Sequence, residues 1–143
     1  MESPFRILIV DDFEPWRRFI AGLLEKYPEW EIVGEASDGE EGVQKSRQLQ
    51  PDLILLDIGL PRLNGILAAS SIRSTAPNSK ILFLSENHCP DMVQGALSAG
   101  ARGYVVKSDA AFDLLPAMRA VMQDQRFVGS RFADCNFITS RDK

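Results

Sequence analysis

An α/β fold built around a parallel sheet is the architecture this sequence predicts, and three observations predict it. Short apolar runs alternate with longer amphipathic stretches five times over, the pattern of repeated βα units. Three of the runs end on charge: Ile7-Leu8-Ile9-Val10 on Asp11-Asp12, Leu53-Ile54-Leu55-Leu56 on Asp57, and Tyr104-Val105-Val106 on Lys107. Pro28, Pro51, Pro77 and Gly100 punctuate the joints between stretches, where a chain must turn.

Each element has its own local reason. Phe5 to Val10 is a continuous apolar run and reads as a buried strand. Phe13 to Tyr27 carries Trp16, Phe19, Ile20, Leu23 and Leu24 at helical spacing, with Pro15 in the first turn and Pro28 as the stop. Glu31 to Ala36 is a more polar strand that suits an edge, after which Ser37 or Asp38 caps a helix to about Gln48, ended by Pro51. Asp52 to Asp57 is the central strand. Asn64 then caps a helix bearing Ile66, Leu67, Ala69 and Ile72, which finishes before Pro77. Lys80 to Ser85 is the fourth strand, about Asp91 to Ala99 the fourth helix, and Arg102 to Val106 the fifth strand. A last helix, capped by Ser108, runs to about Gln123.

Composition bounds the function. The chain has 143 residues and is 45% hydrophobic, enough to bury one core, so residues 1–126 are expected to form one domain and 127–143 a short tail. A stretch from Arg126 to Lys143 is too short for a helix-turn-helix or catalytic output domain, so either a single-domain protein or a shortened chain is expected, with the start at Met1 and the end at Lys143 leaning slightly toward the former. The net charge of -4, with Lys and Arg scattered, provides no basic field for direct nucleic-acid binding. Cys89 and Cys135 lack metal or redox spacing and read as reduced thiols of a cytoplasmic protein. No apolar stretch approaches the roughly 18 residues of a membrane helix, and the first apolar run ends in aspartates instead of a small-residue cleavage site.

In open α/β sheets, ligand chemistry gathers at the carboxyl ends of the strands. Asp11, Asp12, Asp57 and Lys107 all fall there, and the Pro61 and Gly65 that follow Asp57 describe a turn holding it in the open. Crowded carboxylates repel and raise one another's pKa unless a cation stands between them. A hard, oxygen-seeking divalent ion such as Mg²⁺ meets that need.

With these residues in view, the chain resembles the receiver domain of a two-component response regulator over roughly residues 5 to 124. The resemblance is carried by Asp11-Asp12, by Asp57-x-x-x-Pro61-x-x-x-Gly65, by the hydroxyl of Ser85 at the end of the fourth strand, and by Tyr104-x-x-Lys107 at the fifth. It implies a flavodoxin-like doubly wound five-stranded parallel sheet of order 2-1-3-4-5, with helices on both faces. It also implies that Asp57 accepts a phosphoryl group from a sensor histidine kinase or phosphotransfer protein. Asp12, Asp57 and the backbone carbonyl of Gly59 would ligate Mg²⁺ directly, and Asp11 through water. Lys107 and Ser85 would meet the phosphoryl oxygens, and Tyr104 would turn inward as Ser85 moves. Output would pass to a homodimer partner or downstream protein through the fourth helix, fifth strand and fifth helix.

Two residues depart from that pattern. Pro116 falls inside the last helix and is expected to bend or locally break it. Glu86 follows the active hydroxyl where the family usually has a small residue, and its carboxylate is expected to hinder a phosphoryl group. Glu86 gives weight to the alternative reading, a phosphorylation-independent binding module of the same fold. A metal-dependent phosphatase with Asp57 as nucleophile is disfavoured, because Gly59 stands where a general acid would be required. A flavin site is weaker still, since the loop after the first strand is acidic and lacks a phosphate cradle. His88, the sole histidine, reads as a surface loop residue.

Overall fold

The computed structural model describes residues 3–137 and gives one parallel sheet with helices packed on both faces. In chain order the elements are β1 (Phe5–Val10), α1 (Glu14–Leu24), β2 (Trp30–Ala36), α2 (Gly39–Leu49), β3 (Leu53–Leu56), α3 (Gly65–Thr75), β4 (Lys80–Ser85), α4 (Pro90–Ser98), β5 (Gly103–Val106), α5 (Ala110–Met122) and β6 (Phe127–Val128). The strands lie in the order β2-β1-β3-β4-β5-β6, the 2-1-3-4-5 arrangement extended by one short strand.

Alternation along the buried strands divides the core into two layers. Leu8, Val10, Ile54, Leu56, Phe83 and Tyr104 face the layer of α2, α3 and α4, where Ala68, Ala69, Ile72, Val93 and Leu97 pack on them. Ile7, Ile9, Leu53, Leu55, Leu82, Leu84 and Val105 face the other way, against Ile20 and Leu24 of α1 and Leu114, Ala117, Met118 and Val121 of α5. Both faces of the central strands are therefore covered, which is why they read as unbroken apolar runs. β2 lies at the edge, with Glu31 and Glu35 exposed.

Among the described residues, side-chain caps start two of the five α-helices, α2 and α3. The Asp38 carboxylate accepts from the Glu41 N–H at 2.8 Å, and the Asn64 side chain accepts from the Leu67 N–H at 3.0 Å. Two expectations need correction at the last helix. Ser108 does not cap it; Lys107–Asp109 forms a 3-10 turn, α5 starts at Ala110, and the Ser108 hydroxyl instead accepts from Arg131 at 3.4 Å. Nor does Pro116 break α5, which runs unbroken to Met122. Its missing N–H leaves the Phe112 carbonyl without an i+4 donor, at a residue that is 85% exposed.

The boundary expected at residue 126 falls inside the packed unit. Phe127 N–H bonds to the Arg102 carbonyl at 3.1 Å and Gly129 N–H to the Tyr104 carbonyl at 3.1 Å, so the chain continues the sheet as β6. Phe132 beyond it is 5% exposed and meets Tyr104 edge-on at 6.2 Å. Residues 138–143 of the expected tail lie outside the described residues.

Candidate functional site

The strand order reverses between β1 and β3, and the crevice outside their carboxyl ends is where such a sheet binds ligands. Asp11 and Asp12 leave β1, Asp57 leaves β3, Ser85 ends β4 and Lys107 follows β5. All five therefore arrive at one rim. Asp12, Asp57, Ser85 and Lys107 border a cleft of about 510 Å³ that also includes Gly59, Glu86, Asn87 and Met92, and Asp11 lies buried beside it.

Backbone packing fixes Asp57. Its N–H donates to the Val10 carbonyl at 3.0 Å, and Gly65 N–H donates to the Ile58 carbonyl at 2.8 Å, closing the loop behind it. A β-carbon at position 65 would sit 2.1 Å from the Asp57 carbonyl oxygen, so only glycine permits this approach. Gly39 serves the same loop from the other side, where a β-carbon would lie 1.7 Å from the Leu63 carbonyl oxygen. The spacing from Asp57 to Gly65 is thus a packing requirement that aims the carboxylate at the cleft.

Electrostatics make the crowding explicit. Asp11, Asp12 and Asp57 each offer a carboxylate oxygen within 4.8 Å of the others. Asp57 is 8% exposed, and burial raises its pKa to about 6; the Asp11 and Asp12 charges add to the rise, while Lys107 and a backbone bond from Gly59 oppose it. Lys107 is the local cation. Its Nζ donates to Asp11 Oδ2 at 2.6 Å and stands 3.9 Å from Asp57 Oδ1, with the Trp16 ring centroid 5.1 Å away. Asp11 is buried and its other oxygen accepts from the Phe13 N–H at 2.9 Å, whereas Asp12 is exposed at the mouth of the cleft. Oxygen donors around a solvent-reachable point suit a small, hard divalent cation such as Mg²⁺.

Ser85 and Tyr104 are linked by a residue that the sequence did not single out. Asn87 N–H donates to Ser85 Oγ at 3.1 Å, and the Asn87 carbonyl accepts from the Tyr104 hydroxyl at 2.7 Å. The Tyr104 ring is wholly buried between Phe83 and Phe132, and burial pushes its phenol pKa up. Glu86 is exposed on the rim and borders an adjoining hollow of about 370 Å³ with Phe13, Trp16, Lys107 and Ser108. His88 is exposed, as expected. Asn87 acts through its backbone, which no residue pattern signals. Trp16 reads in sequence as a core aromatic, and its place beside Lys107 depends on how the β5 end meets α1.

Comparison with known proteins agrees with this geometry. The family model described as "Response regulator receiver domain" matches residues 7–119. The transcriptional regulatory protein LiaR of Bacillus subtilis is 36% identical over 128 residues, covering 90% of this chain and 61% of LiaR. The nitrate/nitrite response regulator protein NarL of Escherichia coli is 38% identical over 118 residues, covering 82% of this chain and 54% of NarL. Among solved structures, a LuxR-family two-component response regulator from Aurantimonas sp. SI85-9A1 superposes with a TM-score of 0.87 at 32% identity, covering 92% of this chain and 94% of that one. The chain belongs to the response regulator receiver domain family and is a receiver domain of the two-component signalling kind. It spans 54 to 61% of the length of the curated relatives LiaR and NarL. No helix among the described residues is long and apolar enough to cross a membrane.

Proposed function

We propose that this domain takes a phosphoryl group onto Asp57 from the phosphohistidine of a sensor histidine kinase or phosphotransfer protein, in a Mg²⁺-dependent reaction, and so switches its protein contacts. One observation carries the reading: the Asp57 carboxylate stands in an open cleft with two further carboxylates and one ammonium converging on it.

The donor set fits the ion. Asp12, Asp57 and the Gly59 carbonyl would hold Mg²⁺ directly and Asp11 through water, and the ion would neutralise charge on the transferred phosphoryl oxygens. The protein's own groups do the rest. Asp57 Oδ attacks phosphorus as the phosphorus–nitrogen bond of the donor breaks, giving an acyl phosphate and a free imidazole. Lys107, already 3.9 Å from Asp57, is placed to bond one phosphoryl oxygen, and Ser85 another. Drawing Ser85 toward the phosphoryl group pulls on Asn87, and through it on the Tyr104 hydroxyl, which gives Tyr104 its role as the switch. The faces of α4, β5 and α5 would present the result to a second copy or a downstream protein, with Phe112 standing out from α5.

In this reading the chain is a cytoplasmic phosphoacceptor that catalyses at most its own phosphorylation and dephosphorylation, and its net charge of -4 supports a role without direct DNA contact. Incubation with Mg²⁺ and acetyl phosphate, followed by intact mass, tests it. A single phosphoryl adduct that vanishes in Asp57→Asn is expected. An unlabelled wild-type chain would support the phosphorylation-independent binding module instead.

A further inference from the structure

Trp16 lies in the first turn of α1, just past the acid pair, and its contacts are divided in an informative way. One neighbour is Phe19, whose ring centroid is 5.1 Å away. Another is the Lys107 ammonium, 5.1 Å from the indole centroid. The indole N–H is buried and, among the described residues, has no hydrogen-bond acceptor. Burying that donor unpaired is unfavourable, and tryptophan normally finds it a partner. The ring is therefore held here by its face and edges instead of its N–H group.

The Lys107 side chain is 11% exposed. Asp11 at 2.6 Å and Asp57 at 3.9 Å attract its ammonium, and the indole face lies at cation–π distance. The closer carboxylate is Asp11. An ammonium held only by Asp11 would sit away from the acceptor, and a freely moving lysine would spend much of its time in water. An aromatic face attracts the cation without fixing it to one oxygen, so Lys107 can exchange partners while remaining at the rim.

We propose that Trp16 is a positioning residue for phosphoryl transfer, which keeps the Lys107 ammonium beside Asp57 as it passes from Asp11 to the incoming phosphoryl group. The inference rests on the reading of Asp57 as acceptor. With acetyl phosphate as donor, the phosphorus–oxygen bond to acetate breaks as the Asp57 Oδ–phosphorus bond forms. Acetate leaves with the electron pair, and Lys107 trades an Asp11 oxygen for a phosphoryl oxygen without losing a proton. Trp16 touches none of the reacting atoms and acts through Lys107 alone.

The test is the initial rate of acetyl-phosphate labelling with Mg²⁺, read by intact mass, for the wild type, W16L, W16F, K107M and W16L/K107M. Circular dichroism and urea midpoints establish that each variant is folded. W16L is expected to label roughly three- to tenfold more slowly, the worth of one partly desolvated cation–π contact, and W16F to recover most of the rate because it keeps an aromatic face. In the K107M background, W16L should change nothing further. Equal rates for W16L and the wild type would overturn the proposal. So would equal losses for W16F and W16L, or an undiminished W16L effect without Lys107, since either would make the role one of packing. A wild-type chain that takes no label would overturn the acceptor reading and this role together, whereas a labelled wild type with an unaffected W16L would overturn this role alone.

Discussion

Replacing Asp57 by Asn should stabilise the metal-free fold at neutral pH. Burial, with the neighbouring Asp11 and Asp12 charges, raises the Asp57 pKa from 3.8 to about 6 despite the opposing pull of Lys107. Between about pH 4 and pH 6 the folded chain keeps a proton that the unfolded chain has released, so stability falls as pH rises through that window and stays reduced above it. Each pKa unit is worth about 1.4 kcal/mol, so the ionised carboxylate costs the empty site on the order of 3 kcal/mol at about pH 7.5. Asn resembles the neutral acid and escapes that cost. Urea unfolding at about pH 7.5 in chelator should therefore show Asp57→Asn more stable than the wild type by about 2–3 kcal/mol, with the two converging below about pH 4. Mg²⁺ should reverse the order: at about one hundred times its Kd it adds about 2.7 kcal/mol to a chain that binds it, and the variant has lost one ligand. A metal-free variant less stable than the wild type at neutral pH, or a difference that ignores pH, would refute the electrostatic account of the cleft.

Other parts of the site can be tested in the same way. Because Glu86 is exposed on the cleft rim, Glu86→Ala should speed acetyl-phosphate labelling by about two- to fivefold at low ionic strength, with the gain shrinking as salt screens the charge; equal rates at low salt would show that Glu86 turns away from the site. Tyr104→Phe removes a 2.7 Å hydrogen bond to the Asn87 carbonyl, and should cost about 1 kcal/mol in urea while speeding amide exchange at Asn87 and Cys89. Phe132→Ala should lose about 3 kcal/mol and raise exchange at Phe127 and Gly129, a pair whose protection would persist if the segment after β6 were merely laid over the surface.

Most of the sheet was legible because its strands are buried on both faces and so appear as uninterrupted apolar runs between breakers. Helix caps were legible where a side chain does the capping, as at Asp38 and Asn64. They failed at Ser108, where the chain leaves β5 through a 3-10 turn whose bonds are made by the backbone and by Arg131. Pro116 misled for a related reason. Its rule concerns a missing hydrogen bond, and the cost depends on whether the stranded carbonyl is buried or wet, which a linear pattern does not reveal.

The site divides along the same line. Asp11, Asp12, Asp57, Ser85 and Lys107 were readable because each must stand immediately after, or at the end of, a buried strand, so its place follows from counting along the chain. Residues that act by lateral contact were not. Trp16 and Lys107 are far apart in sequence, and their approach depends on the packing of α1 beside the end of β5. Phe132 lies beyond a two-residue strand too short to leave a pattern, yet its ring meets Tyr104, whose hydroxyl bonds to Asn87, whose N–H bonds to Ser85. Contacts therefore run without a gap from the Asp57 cleft to the segment after β6. The carboxylates and the lysine are set by strand ends, whereas the contacts that join Ser85 to the segment after β6 are set by packing between elements distant in the chain.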